Sequence, residues 1–257
     1  MTRSWAPPIL GTLMAIGITT GMDANGLAEF SALPLLPLAG LFWYLQRFSR
    51  QEVGLAWGGL RYHGIALAHP LLVLGSVMVI VFSAGVVDLS DANWRNAALN
   101  IFIGTPVGVL AVLLTEEGFF RGWLWASLRR AGLSDNQVLV WSSVLFALWH
   151  VSAVTLETGF DLPASQIPVY LVNATVIAAI WAKMRLVSGS ALVPSVCHSV
   201  WNGLAYTLFG FGTKTGSLGV TQTAVYGPEV GFLGLALNLL FAAILWRWLK
   251  RQKPGTA

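Results

Sequence analysis

Long apolar runs separated by short polar stretches follow one another along the whole sequence. Each run approaches the roughly 20 helical residues that cross a hydrocarbon core of about 30 Å. Because backbone polar groups in lipid must bond to one another, such runs are expected to be helices. The pattern therefore predicts an all-α, polytopic membrane bundle of about eight helices, over residues 8–22, 30–46, 65–87, 97–114 with a continuation to about 129, 137–155, 167–184, 191–209 and 229–249.

The connections between these runs leave no room for a separate soluble domain, so residues 1–257 are predicted to form one integral-membrane domain. The composition agrees, because 56% of the residues are hydrophobic and 10% are charged, against about 45–50% and about 25% in soluble domains. The first run follows Arg3 and has no convincing signal-peptide cleavage site, so we expect it to be a retained first span.

The charged residues between the runs indicate an orientation. With the N-terminus inside, one side of the membrane collects all of the 15 basic residues except Arg95 and Lys214. The opposite side collects acidic residues, namely Asp23, Glu29, Asp88, Asp91, Glu157, Asp161 and Glu229. The sequence therefore predicts a multi-pass protein of the cell membrane with both termini in the cytoplasm.

The net charge of +4 does not indicate a nucleic-acid partner, because the basic residues are scattered rather than gathered into a patch. We expect the lipid bilayer as a partner and no nucleic acid. The single cysteine, Cys197, excludes an intrachain disulfide and a cysteine-rich metal site.

Ionisable residues inside membrane helices are rare and usually functional, because each must pair with another group or face water. The predicted spans contain few such residues, and they occur on the fourth, fifth and seventh helices. The fourth helix carries Glu116, Glu117 and Arg121, the fifth carries His150, and the seventh carries His198 and the polar Asn202.

The spacing of these residues separates their roles. Glu117 and Arg121 are four residues apart and should pair on one helix face, while Glu116 points elsewhere and is free for another partner. His198 and Asn202 are also four residues apart and share a face. At about 1.5 Å per helical residue, Glu116, His150, His198 and Asn202 lie roughly 10–20 Å from the cytoplasmic ends of their helices. The sequence therefore predicts that they meet in the cytoplasmic half of the membrane.

A carboxylate and a neutral imidazole can together hold and deprotonate a water molecule, which suits Glu116 and His150. Donors such as His198 and the Asn202 amide can stabilise the oxyanion formed when water adds to a peptide carbonyl. Zinc bound by Glu116, His150 and His198 is a less favoured alternative, since two histidines and a carboxylate are a known ligand set but no HExxH motif occurs. We therefore expect no cofactor.

Three short motifs resemble those of a known family. EEGFFR matches EExxxR, FALWH matches FxxxH, and HSVWN matches HxxxN, in the order found in the CPBP family of type II CAAX prenyl endopeptidases and bacteriocin-processing or immunity proteins. The matching residues lie in a motif-bearing core at about 97–210. The resemblance implies a glutamate-type intramembrane endopeptidase that needs no metal and acts on a peptide or protein substrate, which in some members is lipidated.

The resemblance also implies roles for individual residues. Glu116 and His150 would activate water, and His198 and Asn202 would form the oxyanion hole. Glu117 and Arg121 would support the site. Glu116, His150, His198 and Asn202 are thus the predicted catalytic residues.

Two other functions remain open on the sequence. Buried Glu, His and Arg residues also line transporters and proton relays, although the inverted repeats typical of such proteins are not detected. A non-catalytic immunity or scaffold protein could also retain these residues. Cleavage, solute flux and phenotypic rescue by a Glu116→Gln variant separate the three functions.

Overall fold

A computed structural model describes residues 4–212 and 214–251, which excludes Arg3 and Lys253, two of the residues used to infer the orientation. Of the residues described, 72% are helical, which confirms the all-α prediction. The helices are α1 (Ala6–Asp23), α2 (Leu35–Gln46), α3 (Leu60–Ser83), α4 (Trp94–Leu99), α5 (Thr105–Leu114), α6 (Leu124–Arg130), α7 (Asp135–Trp149), α8 (Val151–Thr155), α9 (Ile167–Ser188), α10 (Leu192–Leu204), α11 (Thr223–Tyr226) and α12 (Phe232–Arg251).

Shorter elements join these helices. A 3-10 turn, Ala28–Phe30, precedes α2. Three segments are π-helical: Asn100–Gly104 links α4 to α5, Gly118–Trp123 leads into α6, and Ala205–Phe209 extends α10. Two short strands, β1 (Gly210–Phe211) and β2 (Lys214–Thr215), pair in antiparallel fashion after α10. The sequence pattern did not predict this pair, because each strand has only two residues.

Six helical stretches in the described part of the chain are long and apolar enough to cross a membrane, which confirms a multi-pass membrane protein. They are Ala28–Gln46, Leu60–Ser83, Trp94–Leu114, Asp135–Thr155, Ile167–Ser188 and Phe232–Arg251. The predicted first and seventh spans are also helical, as α1 and as α10 with its π-helical extension. Their hydropathy is lower because α1 is rich in Gly, Thr and Pro and α10 carries the polar residues of the third motif.

Apolar side chains cover the outside of the bundle. Leu72 and Val79 of α3 and Leu240 of α12 are more than half exposed, as expected of side chains that face lipid. The interior is unusually aromatic, and Trp123 and Trp201 lie among its fully buried side chains.

The contacts of α10 bring the three motif-bearing regions together. This helix packs against both α3 and α5, and α9 packs against α7 and also contacts α10. Ser199 donates a hydrogen bond to the Thr105 carbonyl oxygen over 2.7 Å. A Cβ atom at Gly203 would collide with the Thr105 side chain, so glycine permits the close approach of α10 to α5.

One predicted boundary was wrong, and one predicted helix is interrupted, in ways that affect the site. The fourth helix reaches Leu114 and is helical again from Glu116 to Arg130, close to the expected end at about residue 129, but Thr115 breaks it into two parts. The eighth helix was expected to begin at Glu229, but α12 begins at Phe232, so Glu229 lies in the preceding loop. The other ends differ from the prediction by a few residues, as helix ends commonly do.

Candidate active site

The helix that carries the first motif is interrupted immediately before its two glutamates. The last residue of α5 is Leu114, and Thr115 has backbone angles φ −104° and ψ −96°, outside the helical region. Glu116 and Glu117 begin a new segment that continues as the π-helix Gly118–Trp123. Such wide helical turns occur frequently at functional sites. The chain is therefore redirected at the position where both carboxylates enter the interior.

Gly118 is required for this redirection. A Cβ atom at this position would lie 2.5 Å from the carbonyl oxygen of Leu113, closer than real Cβ atoms approach a backbone oxygen. A larger residue would therefore force the segment after Thr115 to move, and the two glutamates would move with it.

Glu117 and Arg121 form the predicted ion pair, with 3.2 Å between Glu117 Oε1 and an Arg121 guanidinium nitrogen, and neither side chain is exposed. Arg121 also donates a hydrogen bond to the Ala178 carbonyl oxygen over 3.1 Å, and its guanidinium lies 4.4 Å from the centre of the Phe146 ring. The sequence did not predict a further contact, in which Glu117 Oε1 lies 3.0 Å from Nδ1 of His198. Glu117 therefore links Arg121 to the third motif.

Glu116 faces the two motif histidines. Its Oε2 atom lies 3.8 Å from Nε2 of His150 and 3.8 Å from Nε2 of His198. Both distances exceed the range of a direct hydrogen bond and suit contacts bridged by water. Among the described residues no hydrogen-bond donor contacts this buried oxygen. The structure thus brings Glu116, His150 and His198 together around one carboxylate oxygen.

The hydrogen bonds made by Nδ1 of each histidine determine whether its Nε2 atom can donate or accept a hydrogen bond. Nδ1 of His150 lies 2.8 Å from the Phe146 carbonyl oxygen, so this nitrogen is the donor and Nε2 of the neutral ring carries a lone pair. Nδ1 of His198 donates to the Glu117 carboxylate, and the His198 ring stacks on Trp181 with 4.1 Å between centroids. With Nδ1 donating to Glu117, Nε2 of a neutral His198 ring carries a lone pair, so a second N–H exists only in the imidazolium form.

Asn202 joins the histidines at a shared pocket. His150, His198 and Asn202 all line it, together with Phe146, Tyr170, Ala174, Ile177, Trp181, Trp201, Tyr206 and Glu229. The space that water can reach in this pocket is about 30 Å³, enough for a bound water molecule. All four residues predicted to be catalytic therefore lie at or beside this pocket.

Sequence reasoning missed one acidic residue of the pocket. Glu229 was interpreted as a charge at the outer end of the last span, but its side chain is only 7% exposed and accepts a hydrogen bond of 2.6 Å from the Trp201 indole N–H. Nothing in the local sequence GPEVG indicates that this loop folds back beneath α10. The only sign of a buried carboxyl group in the sequence was an acidic residue next to an apolar run.

The environment of Glu229 affects its ionisation. Burial raises the pKa of Glu229 to about 7, although the hydrogen bond from Trp201 acts in the opposite direction. Desolvation disfavours the charged form of a carboxyl group, which is the physical cause of this rise.

The zinc alternative would require Glu116, His150 and His198 to converge on one ion. In residues 4–212 and 214–251, no group of three or more histidine, cysteine and acidic side chains has a geometry able to hold a metal. The Glu117–Arg121 pair also places a cation close to the same cluster.

Residues 98–204 match the family model of type II CAAX prenyl endopeptidases, Rce1-like. This segment contains Glu116, Glu117, Arg121, His150, His198 and Asn202, and the match confirms the family resemblance. No curated protein and no solved structure matches the chain. In general terms the match supports a membrane-embedded, CAAX-protease-like endopeptidase that acts on a peptide or protein substrate.

Proposed function

We propose that the protein is a glutamate-type intramembrane endopeptidase in which Glu116 and His150 activate the attacking water. The observation that carries this proposal is the position of Glu116 Oε2, which lies 3.8 Å from Nε2 of both His150 and His198. A water molecule between these atoms would donate one proton to the carboxylate and the other to the lone pair on His150 Nε2. Transfer of the first proton to Glu116 would generate the nucleophile.

His198 and Asn202 would stabilise the oxyanion of the tetrahedral intermediate. An imidazolium form of His198 would present an N–H at Nε2 while Nδ1 donates to Glu117. The Asn202 side chain lines the same pocket. Donors held in advance of the reaction stabilise developing charge at little reorganisation cost. Glu117 and Arg121 would act by positioning: Glu117 would orient His198, and Arg121 would hold Glu117 through the ion pair.

Lipidated substrates fit a second feature beside the broken helix. An apolar cavity of about 180 Å³ adjoins the segment that carries the glutamates and is lined by Leu36, Ala39, Gly40, Trp43, Val53, Leu55, Leu113, Leu114, Gly118, Gly122, Trp123 and Ala191. We propose that this cavity receives a lipid chain attached to the substrate. A prenylated peptide should then have a lower KM than the same peptide without its prenyl group, at similar kcat.

The mechanism is tested by cleavage assays on purified protein in liposomes. The substrates are a farnesylated CAAX peptide and a diverse peptide pool, and the products are identified by mass spectrometry with and without a chelator. Glu116→Gln should abolish cleavage, whereas the matched control Glu157→Gln, which alters an exposed loop carboxylate, should not. Full activity of Glu116→Gln would refute the proposal, and loss of wild-type activity with chelator would favour zinc.

A further inference from the structure

Glu229 is a second carboxyl group in the pocket, and the mechanism above does not use it. It lines the pocket together with His150, His198 and Asn202. It comes from the loop before α12, outside the matched segment 98–204. The hydrolysis of a peptide bond needs both a base for the water and an acid for the leaving amine. Glu116 fills the first role, and the second is unassigned.

The backbone of Glu229 is fixed by a relay of neutral hydrogen bonds. Asn173 Nδ2 donates to the carbonyl oxygens of Pro228 and Glu229 over 2.9 and 3.0 Å. Asn173 Oδ1 accepts from Asn238 Nδ2 over 3.0 Å, and Asn238 Oδ1 lies 2.9 Å from Nε2 of His69. The relay joins α9, α12 and α3, so the loop that presents Glu229 is anchored by three helices.

The side chain of Glu229 is held at the pocket by α10. Trp201 donates to Oε1 over 2.6 Å, and the Trp201 ring stacks on His69 with 5.0 Å between centroids. One carboxyl oxygen is therefore held by a donor, and the Tyr206 side chain is a second hydrogen-bonding neighbour of the same carboxyl group. The carboxyl group keeps a defined position on the pocket wall.

No cation neutralises Glu229 in the part of the chain that the structure describes, where the ion pairs involve other carboxylates. The titratable and charged groups that face it are Glu116, His150, Tyr170, His198 and Tyr206, with Lys214 in the adjoining cavity. A buried carboxyl group without a paired cation favours its protonated form. Burial and the lack of a paired cation therefore favour a proton on Glu229, beside the candidate catalytic groups.

We propose that Glu229 is the general acid that protonates the leaving amine. This role rests on the proposed function. Water adds to the scissile carbonyl carbon as Glu116 takes its proton, and the tetrahedral intermediate forms. The carbon–nitrogen bond then breaks as the Glu229 proton passes to nitrogen, which releases a carboxylic acid and an amine. Glu229 regains a proton from protonated Glu116 through water, so the cycle consumes one water molecule for each bond cleaved.

The decisive experiment compares two leaving groups. A peptide and a depsipeptide that share one acyl sequence, the second with oxygen in place of the scissile N–H, are cleaved by the wild type and by Glu229→Gln. An amine must be protonated to leave, whereas an alkoxide leaves more readily. Since a general acid contributes about 100-fold or more, Glu229→Gln should lose about 100-fold in kcat on the peptide and only a few fold on the ester.

Equal losses on both substrates would assign Glu229 a structural role and overturn the inference, as would no loss on the peptide. Trp201→Phe is the matched control, because it removes the hydrogen bond to Glu229 and keeps the carboxyl group; it should retain the wild-type ratio of peptide to ester cleavage. The thermal unfolding of each variant is measured alongside.

Glu116→Gln separates this inference from the proposed function. If that variant cleaves the peptide normally, the proposed function fails. If it cleaves neither substrate while Glu229→Gln loses both equally, only the role of Glu229 fails. The kcat/KM of the wild type for the peptide should also decline above about pH 7, and this decline should be absent in Glu229→Gln.

Discussion

Two buried polar clusters lie on neighbouring faces of α10, and their hydrogen bonding differs. On one face, Cys197 lies 3.3 Å from Nδ1 of His69, whose Nε2 bonds to Asn238, which in turn bonds to Asn173. On the next face, His198 meets the charged pair of Glu117 and Arg121 and the carboxylate of Glu116. We call these the neutral cluster and the charged cluster.

The neutral cluster is satisfied and the charged cluster is not. From Cys197 through His69 and Asn238 to Asn173, each hydrogen-bond donor meets an acceptor. The hydrogen bonds therefore all point the same way along the cluster, and no ionised side chain takes part. In the charged cluster, Glu116 Oε2, Glu117 Oε2 and Arg121 Nε are buried, and no described residue satisfies them by hydrogen bonding. Buried polar atoms that lack partners are costly. This difference is expected if the neutral cluster serves the architecture and the charged cluster carries the proposed chemistry.

The largest expected effect on stability comes from leaving a buried charge unpaired. Arg121→Met would deprive Glu117 of its cation in a site with no exposure. We expect the free energy of unfolding, measured by thermal or denaturant unfolding in detergent, to fall by about 3–5 kcal/mol. Cleavage should also be lost. The double variant Arg121→Met with Glu117→Gln should recover part of the lost stability. Arg129→Met is the control, because that side chain is 44% exposed. If Arg121→Met and Arg129→Met lower the free energy of unfolding by similar amounts, burial of the charge does not explain the effect.

A smaller effect is expected in the neutral cluster. Asn238→Ala removes the partners of both His69 and Asn173 without leaving a buried charge. Unfolding free energy should fall by about 1–3 kcal/mol, and the exposed Asn136→Ala should change it little. If Asn238→Ala is as destabilising as Arg121→Met, the two clusters contribute to stability in the same way and the comparison fails.

The helices could be predicted because the bilayer leaves the backbone few alternatives. The i, i+4 spacing was enough to predict the Glu117–Arg121 pair, since the turns that follow Glu117 preserve that contact. The break after Leu114 could not be predicted, because it depends on the φ and ψ angles of Thr115 within an apolar helical pattern. The roles assigned to Glu116, His150, His198 and Asn202 remain predictions.

The neutral cluster was invisible in the sequence for a different reason. His69 precedes Pro70 and was expected at the start of a span, but α3 begins at Leu60, so His69 lies in its interior and is fully buried. Its partners are 128 and 169 residues away in the chain. Contacts over such separations depend on the packing of whole helices, which no local spacing encodes. The same reason explains why Glu229 was missed.

An ion pair outside the membrane spans, between Glu52 and Arg130, should contribute less to stability than either cluster. Partial burial acts to raise the pKa of Glu52, but hydrogen bonds from Ser49 and Arg130 outweigh it, so this pKa lies below its ordinary value. The side chains of Glu52 and Arg130 are 45% and 22% exposed, so we expect Glu52→Gln to cost about 0.2–1 kcal/mol at neutral pH.

The pH dependence of the stability contributed by Glu52 follows from the direction of its pKa shift. A carboxylate with a lowered folded-state pKa contributes its stability above the unfolded-state pKa and loses it as the pH falls through the folded-state value. The difference between the wild type and Glu52→Gln in unfolding scans should therefore shrink below about pH 4. A difference that grows with acidification would contradict the assignment.

The smallest effect on stability is expected where the expected effect on catalysis is greatest. Glu116→Gln removes a carboxylate whose Oε2 atom accepts no hydrogen bond from the residues described, so little native-state stabilisation is lost with the charge. The unfolding free energy should stay within about 0.5 kcal/mol of the wild type, while cleavage is lost. A large loss of stability would mean that Glu116 holds the two histidines apart by direct contacts. It would then belong with Glu117 and Arg121 as a structural member of the charged cluster, and the inactivity of the variant would no longer identify the base.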